Sequence, residues 1–205
     1  MKSIVKFYFA KQKMLIHDEL CKLIKRIAHN TYTLFGIYYK RKKTGLWIVR
    51  WSDGEKIEEG HYVGGKKTGF WTEWHSNKEI KWRQGYYDQD LETGLWTEWH
   101  LNGNKHSEGC FDQGIQTGFW TYWCDNGTKY AEGHYVSGKE TGLWIEWHEN
   151  GTKQKEGYYD NYGEKTGLWT YWYWNGIKRK EGHYEHGEEV GLWIHWHYDG
   201  NQIPK

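Results

Sequence analysis

The sequence predicts an all-β protein: an elongated single-layer antiparallel sheet of tandem β-hairpins, with a short N-terminal amphipathic helical cap. Three observations carry that prediction. A glycine, then Leu or Phe, then Trp recurs seven times, beginning at Gly45, Gly69, Gly94, Gly118, Gly142, Gly167 and Gly191, in steps of 24 or 25 residues. A fixed period of this size marks an array in which each unit buries its apolar face only against its neighbours. Asn-Gly or Asp-Gly recurs at one slot of the unit, as Asp53-Gly54, Asn102-Gly103, Asn126-Gly127, Asn150-Gly151, Asn175-Gly176 and Asp199-Gly200. Such pairs are the strongest short-range hairpin signal. Aromatic residues make up 19% of the chain. The core must therefore be built from Trp and Tyr, whose polar tips tolerate partial exposure.

Residues 1–30 read as a separate basic segment. Ile4-Val5-Lys6-Phe7-Tyr8-Phe9 is rich in β-branched and aromatic residues and suits a short strand or an extended arm. From Lys11 to Ala28, Ile16, Leu20, Leu23, Ile24 and Ile27 recur at three-and-four spacing, with Lys22, Lys25 and Arg26 on the opposite side. That spacing predicts an amphipathic helix. Because an array leaves an unpaired apolar end, the helix is expected to cap the first unit, with docking to a partner as the alternative.

The array spans residues 31–205. A half-unit over 31–44 precedes repeats that start at residues 45, 69, 94, 118, 142, 167 and 191. Gly142 to Tyr159 represents one unit, in which Asn150-Gly151 is expected to form a two-residue type I′ turn. That turn sets Trp47 across from Gly60, Trp96 from Gly109, Trp120 from Gly133, Trp144 from Gly157 and Trp169 from Gly182. Trp71 and Trp193 hold the same position in their units. Each indole is expected to lie over the bare backbone of the glycine it faces. Tyr62, Tyr87, Phe111, Tyr135, Tyr159 and Tyr184 fall two residues beyond each strand glycine and extend the aromatic seam. Strict alternation puts the second Trp of each unit on the opposite face, so either a bulge intervenes or both faces are aromatic. The second loop, as in Val136-Ser137-Gly138-Lys139-Glu140-Thr141, carries most of the length variation. Pro204 and Lys205 are expected to finish the last edge against further strand addition.

The pattern Gly-Leu-Trp-Thr-Glu-Trp-His-x-Asn-Gly, then Glu-Gly-x-Tyr, then a Gly-Lys-x-Thr-Gly linker resembles the MORN repeat family (membrane occupation and recognition nexus). It is most similar to the variant repeats of bacterial putative antitoxin-type proteins and of protist and viral proteins. The resemblance covers residues 31–203. It departs at Arg50-Trp51, where the second Trp is displaced by one, and over Asn77 to Trp82, where the unit gains a residue. It implies a twisted single-layer sheet of hairpins that scaffolds protein partners, sometimes at membranes, and it transfers no catalytic residue.

Charge and residue chemistry point the same way. Residues 1–43 carry eleven Lys and Arg against Asp18 and Glu19, while the rest carries 17 against 25. A net-negative array argues against wrapping a phosphate backbone, so no nucleic acid is expected. The basic head suits a solvated face, an acidic partner or an anionic membrane surface. Cys21, Cys110 and Cys124 lack metal-ligand spacing, and no leader pattern opens the chain, so a cytoplasmic, reduced protein is expected.

His75, His100, His148 and His197 share one repeat position, and His61, His134 and His183 another. Equivalent positions lie about 10 Å apart, too far to share one metal ion, and no metal or cofactor is expected. The ladder Glu59, Glu108, Glu132, Glu156 and Glu181 reads as cross-strand pairing with Thr and Lys, not as acid–base machinery. No nucleophile motif or phosphate-cradling loop occurs, so neither an enzyme nor a small-molecule substrate is expected. The expected role is a non-enzymatic intracellular scaffold for an unidentified protein partner. Lipid association through the head, or carbohydrate stacking on exposed aromatics, are the alternatives. Trp99, His100, Trp147, His148, Trp172 and Tyr173 are the candidate binding residues.

Overall fold

The structure, a computed structural model, describes residues 36–76 and 79–204 in full, and residues 22–23, 27–28 and 32–35 by their backbone. The expected strand at Ile4–Phe9 and the expected helix over Lys11–Ala28 lie outside the described residues, except at two points. There Lys22–Leu23 (β1) and Ile27–Ala28 (β2) are strands, each pairing antiparallel with Tyr32–Tyr39 (β3).

Beyond β3 the chain meanders. The strands are β4 (Lys42–Trp51), β5 (Lys56–Val63), β6 (Lys66–Trp74), β7 (Lys81–Asp88), β8 (Leu91–Trp99), β9 (Lys105–Asp112) and β10 (Ile115–Trp123). They continue as β11 (Lys129–Val136), β12 (Lys139–Trp147), β13 (Lys153–Tyr159), β14 (Lys165–Trp172), β15 (Lys178–Glu185) and β16 (Glu188–His195). From β3 to β16 each strand lies beside its neighbours in sequence, in one sheet, and every pair is antiparallel. The predicted register is the observed one: Trp47 pairs with Gly60, Trp96 with Gly109, Trp120 with Gly133, Trp144 with Gly157 and Trp169 with Gly182.

The indoles cover a different set of glycines. A Cβ on Gly133 would come within 2.3 Å of the Trp144 ring, and one on Gly157 within 2.2 Å of Trp169. The same holds for Gly36 with Trp47, Gly60 with Trp71, Gly85 with Trp96, Gly109 with Trp120 and Gly182 with Trp193. Each ring therefore lies on the glycine of the preceding unit, not on the glycine it pairs with.

A bulge explains the difference. Glu132 pairs with Ile145 and His134 with Thr141, so Gly133 alone opposes Gly142, Leu143 and Trp144. Gly142 takes φ 67 to make the detour, a region costly for residues with a Cβ. The ladder opens there, and the Trp144 Nε1–H donates to the freed His134 carbonyl at 3.1 Å. Trp96, Trp120 and Trp169 make the same bond at 3.1 Å, to Tyr86, Cys110 and Tyr158. The two glycines of a unit thus serve different ends, the first supplying a dihedral and the second supplying space.

Turn chemistry is also redistributed. At the Asn-Gly slot only the glycine has positive φ, and the His148 N–H bonds the Thr152 carbonyl while the Gly151 N–H bonds that of His148. This is a three-residue loop with a left-handed glycine at its end, not the expected two-residue type I′ turn. The type I′ signature, positive φ at both central residues, occurs at the second loop: Lys40-Arg41, Gly64-Gly65, Gln89-Asp90, Gln113-Gly114, Ser137-Gly138 and His186-Gly187. Where the β13–β14 linker gains a residue, it switches to the three-residue form, with the Asp160 N–H on the Glu164 carbonyl and the Gly163 N–H on that of Asp160. In the irregular second unit the extra residue is absorbed in the loop after β6. The strands still pair as elsewhere, Trp71 with Gly85.

Candidate functional site

Alternation along β12 and β13 defines two faces. Trp144 with Gly157, and Glu146 with Lys155, point to one, the seam face; Leu143 with Tyr158, and Ile145 with Glu156, point to the other. Both branches of the alternative left open by the sequence occur: a bulge lies between Glu146 and Trp147, but its extra residue, Gln154, is on β13, so Trp147 keeps its alternation and both faces are aromatic.

On the seam face, six first-position indoles (Trp47, Trp71, Trp96, Trp120, Trp144 and Trp169) are only 1–4% exposed. They alternate with Tyr38, Tyr62, Tyr87, Phe111, Tyr135, Tyr159 and Tyr184 in one edge-to-face ladder that ends at Trp193. Trp144, for example, stands 5.1 Å from Tyr135 and 6.3 Å from Tyr159. Each such pair adds about 0.5–1.5 kcal/mol beyond area burial. A polar layer covers the rings. Lys67 sits 4.1 Å above Trp71 and reaches Glu58 at 3.0 Å and Glu73 at 3.3 Å. Arg83, 4.7 Å from the Trp96 centroid, bonds Glu73 at 3.2 Å and the Tyr87 hydroxyl at 2.6 Å. Burial pushes the Tyr62 phenol up to about 12, with Glu58 adding to it. Burial also raises Tyr87, Tyr135, Tyr159 and Tyr184.

The second-position tryptophans lie on the other face, half-buried, each beneath a lysine of the preceding unit. Lys81 stands 5.8 Å from Trp99, Lys129 5.7 Å from Trp147 and Lys153 5.7 Å from Trp172. The same row of lysines holds the glutamate ladder, Lys105 to Glu108 at 2.7 Å, Lys129 to Glu132 at 2.7 Å and Lys153 to Glu156 at 2.5 Å. Thr97 and Thr170 donate to Glu108 and Glu181. Lys178 beside Glu181 holds that carboxyl below its ordinary range.

The predicted binding residues therefore divide. Trp99, Trp147 and Trp172 are half-covered and recur one per unit. His100, His148 and Tyr173 bridge to the next unit: His100 Nε2 lies 2.8 Å from the Trp123 carbonyl oxygen and His148 Nε2 3.2 Å from that of Trp172, while the Tyr173 hydroxyl donates to Trp196 at 3.0 Å. Trp51 stands at the histidine slot of its unit, and its buried indole nitrogen has no hydrogen-bond partner. Trp99 and His100 also line an open cleft of about 440 Å³ with Trp82, Glu98, Leu101 and His106. The asparagines of the turns extend the bridging, Asn150 Nδ2 donating to the Trp174 carbonyl at 2.7 Å and Asn175 to that of Tyr198 at 3.0 Å.

Sequence reasoning passed over the residue between the glycine and the first Trp. Leu46, Phe70, Leu95, Phe119, Leu143, Leu168 and Leu192 form a row along the second face, each 42–54% exposed. The cross-strand partners are mixed: exposed Tyr86 and Tyr158 stand beside Phe70 and Leu143, Cys110 beside Leu95, and exposed His61, His134 and His183 beside Leu46, Phe119 and Leu168. Val63, Leu91, Ile115 and Val136, also exposed, widen the row toward the type I′ turns. The signal was present: the position is apolar in all seven units and has the opposite parity to a buried ring. A row of large exposed apolar side chains repeated once per unit is uncommon on a protein that meets only water.

One group of metal-ligating side chains comes together among the described residues, Asp160, Glu164 and His186, with ligand atoms within 4.8 Å of one another. The Asp160 carboxylate already accepts from the backbone of Tyr162 at 2.8 Å and of Glu164 at 3.0 Å. Those bonds hold it below its ordinary range. No helix among the described residues is long and apolar enough to cross a membrane. Compared with known proteins, the chain matches no family model and no curated protein.

Proposed function

We propose that the chain is a non-enzymatic, cytoplasmic scaffold of the MORN type that receives a protein partner on the row-bearing face. The carrying observation is the exposed Leu/Phe row, which repeats once per unit over a sheet whose other face is closed by its own polar layer. The repeating hairpins are compatible with the MORN resemblance. The ladder carboxylates are held by lysines at 2.5–2.7 Å, which leaves them poorly placed for proton transfer. Half-buried Trp99, Trp147 and Trp172 would border the docked partner instead of anchoring it. The test is cross-linking in the native cell followed by mass spectrometry, with wild type beside Leu95→Asp/Phe119→Asp. A protein captured by wild type and lost by the variant, at unchanged melting temperature, supports the reading. Equal capture by both refutes it.

A further inference from the structure

We propose that the cleft at Glu98 binds an organic ammonium, the head group of a lysine side chain or of a free alkylamine. The cleft lies on the seam face, so the inference is independent of the Leu/Phe row.

The pairing of one carboxylate marks the place. Glu73, Glu98 and Glu146 hold the same repeat position on the seam face, and across their hairpins they face Arg83, Ser107 and Lys155. Arg83 Nε bonds Glu73 at 3.2 Å, and Lys155 Nζ bonds Glu146 at 2.8 Å. Ser107 offers Glu98 only a hydroxyl, at 2.9 Å. On its other side Glu98 is in register with Arg83, but that guanidinium is engaged by Glu73, Glu92 and the Tyr87 hydroxyl. His106 Nδ1, at 3.5 Å, is charged only if protonated. Among the described residues, therefore, no Lys or Arg forms an ion pair with Glu98, although the chain supplies one to both of its counterparts.

Space goes with the difference. Where the counterparts have a long cationic side chain across the hairpin, Ser107 is short, and the cleft of about 440 Å³ opens at Glu98. Its lining includes the carboxylates of Glu98 and Asp125 and no Lys or Arg. A smaller cleft of about 250 Å³ further along the same face is lined by both Lys155 and Arg179 beside Glu146. The two clefts thus differ in the sign of the charge they would accept.

The walls choose among cations. Trp82 borders the cleft with its ring 43% exposed, steadied by Arg83 at 4.9 Å from the ring centroid, and exposed Leu101 stands nearby. An indole face attracts an ammonium, and a carboxylate accepts its charge-assisted hydrogen bond. The apolar walls suit a methylene stem. A bare metal ion fits less well, because it needs several ligand atoms together, and among the described residues such atoms converge at Asp160, Glu164 and His186 instead.

Amide and indole proton–nitrogen correlation spectra of the full chain test the proposal, in mildly alkaline buffer at constant ionic strength. The probe is n-butylammonium, with butyrate and sodium as controls. Saturable shifts at the Trp82 indole and around Ser107 are expected with butylammonium alone. Glu98→Gln, which keeps an acceptor for Ser107, is expected to weaken binding about tenfold, and Trp82→Leu about two- to fivefold. Ser107→Lys copies the arrangement of Lys155 with Glu146 and is expected to abolish binding at an undiminished melting temperature. The peptide acetyl-Gly-Lys-Gly-amide separates the two sources: tighter binding than butylammonium assigns the site to a polypeptide lysine, and equal or weaker binding assigns it to a free amine. Shifts no larger than those from sodium, equal binding of butyrate, or unchanged binding in Glu98→Gln or Ser107→Lys overturns the proposal.

Discussion

The Trp144 indole lies against Gly133, two strands away from its own pairing partner Gly157, and its nitrogen donates to the His134 carbonyl. One ring thereby joins three strands. It pairs forward through the backbone of β12 and packs backward over β11. Repeated along the chain, this backward reach binds each unit to the one before it and lets a sheet one layer thick bury its tryptophans.

Gly142 and Gly133 should respond differently to substitution. Gly142 has φ 67 and open space where a methyl group would stand, whereas a Cβ on Gly133 meets the ring at 2.3 Å. Gly142→Ala is expected to cost about 1–2 kcal/mol, with Gly142→Asn cheaper because Asn tolerates the left-handed region. At Gly133 the order reverses, Asn costing more than Ala, because size decides. Urea denaturation of the four variants checks both orders.

The asparagine bridge predicts an effect of one atom. Asn150 accepts from the Thr152 N–H at 3.0 Å and donates through Nδ2 to the Trp174 carbonyl. Asn150→Asp keeps the first bond and replaces the second with a carboxylate facing a carbonyl, at an expected cost of about 1–2 kcal/mol. The last turn carries Asp199, whose carboxylate bonds Asn201 within its own loop and stays below its ordinary range. Asp199→Asn is expected to be near neutral. Thermal melting of the two variants against wild type reads the contrast.

Much of this organisation is legible in the sequence because it rests on spacing. Gly, Trp, strand Gly and Tyr fix the strands, their register and the seam, since a one-residue slip would move every ring to the other face. Three features escaped. Asn150-Gly151 favours a type I′ turn in isolation, but the loop is one residue longer than the pair, so the left-handed region falls to Gly151 alone. The true type I′ slots hold a more varied first residue, and their second is glycine in Gly64-Gly65, Gln113-Gly114, Ser137-Gly138 and His186-Gly187 but not in Lys40-Arg41 or Gln89-Asp90, so the more regular Asn-Gly slot drew the prediction instead. The backward reach of Trp144 depends on a bulge at Gly142, and alternation alone does not reveal a bulge. The exposed Leu143 row was hidden by the more conspicuous Trp144 beside it.

The tyrosines predict failure in alkali. Burial pushes the Tyr62 phenol up to about 12 and raises Tyr87, Tyr135, Tyr159 and Tyr184 as well, against an ordinary value near 10. Above pH 10 the unfolded chain loses phenolic protons that the folded chain keeps. Stability is therefore fully present below pH 10 and falls as pH rises toward 12. Absorbance at the phenolate band and circular dichroism, followed together, should show ionisation of these rings coinciding with unfolding. Smooth ionisation with the fold intact would count against their burial.

Removing one unit should leave an array. Deleting residues 118–141 joins Thr117 to Gly142, restoring the Thr-Gly junction found at Thr141-Gly142. The shortened chain is expected to fold with a smaller denaturant slope, as each unit contributes its share of buried surface. Deleting residues 119–141, one residue fewer, leaves two adjacent glycines at the junction and shifts every later residue to the opposite face. It is expected to lose the cooperative transition.

The backward packing of the indole is tested most directly by two double-mutant cycles in chemical denaturation, Gly133→Ala with Trp144→Leu and Gly157→Ala with Trp144→Leu. The smaller leucine should relieve the alanine at Gly133, giving a coupling of about 1 kcal/mol or more, and leave Gly157→Ala additive. Coupling at Gly157 with additivity at Gly133 would mean that each ring covers the glycine it pairs with, and the joining of units described here would be wrong.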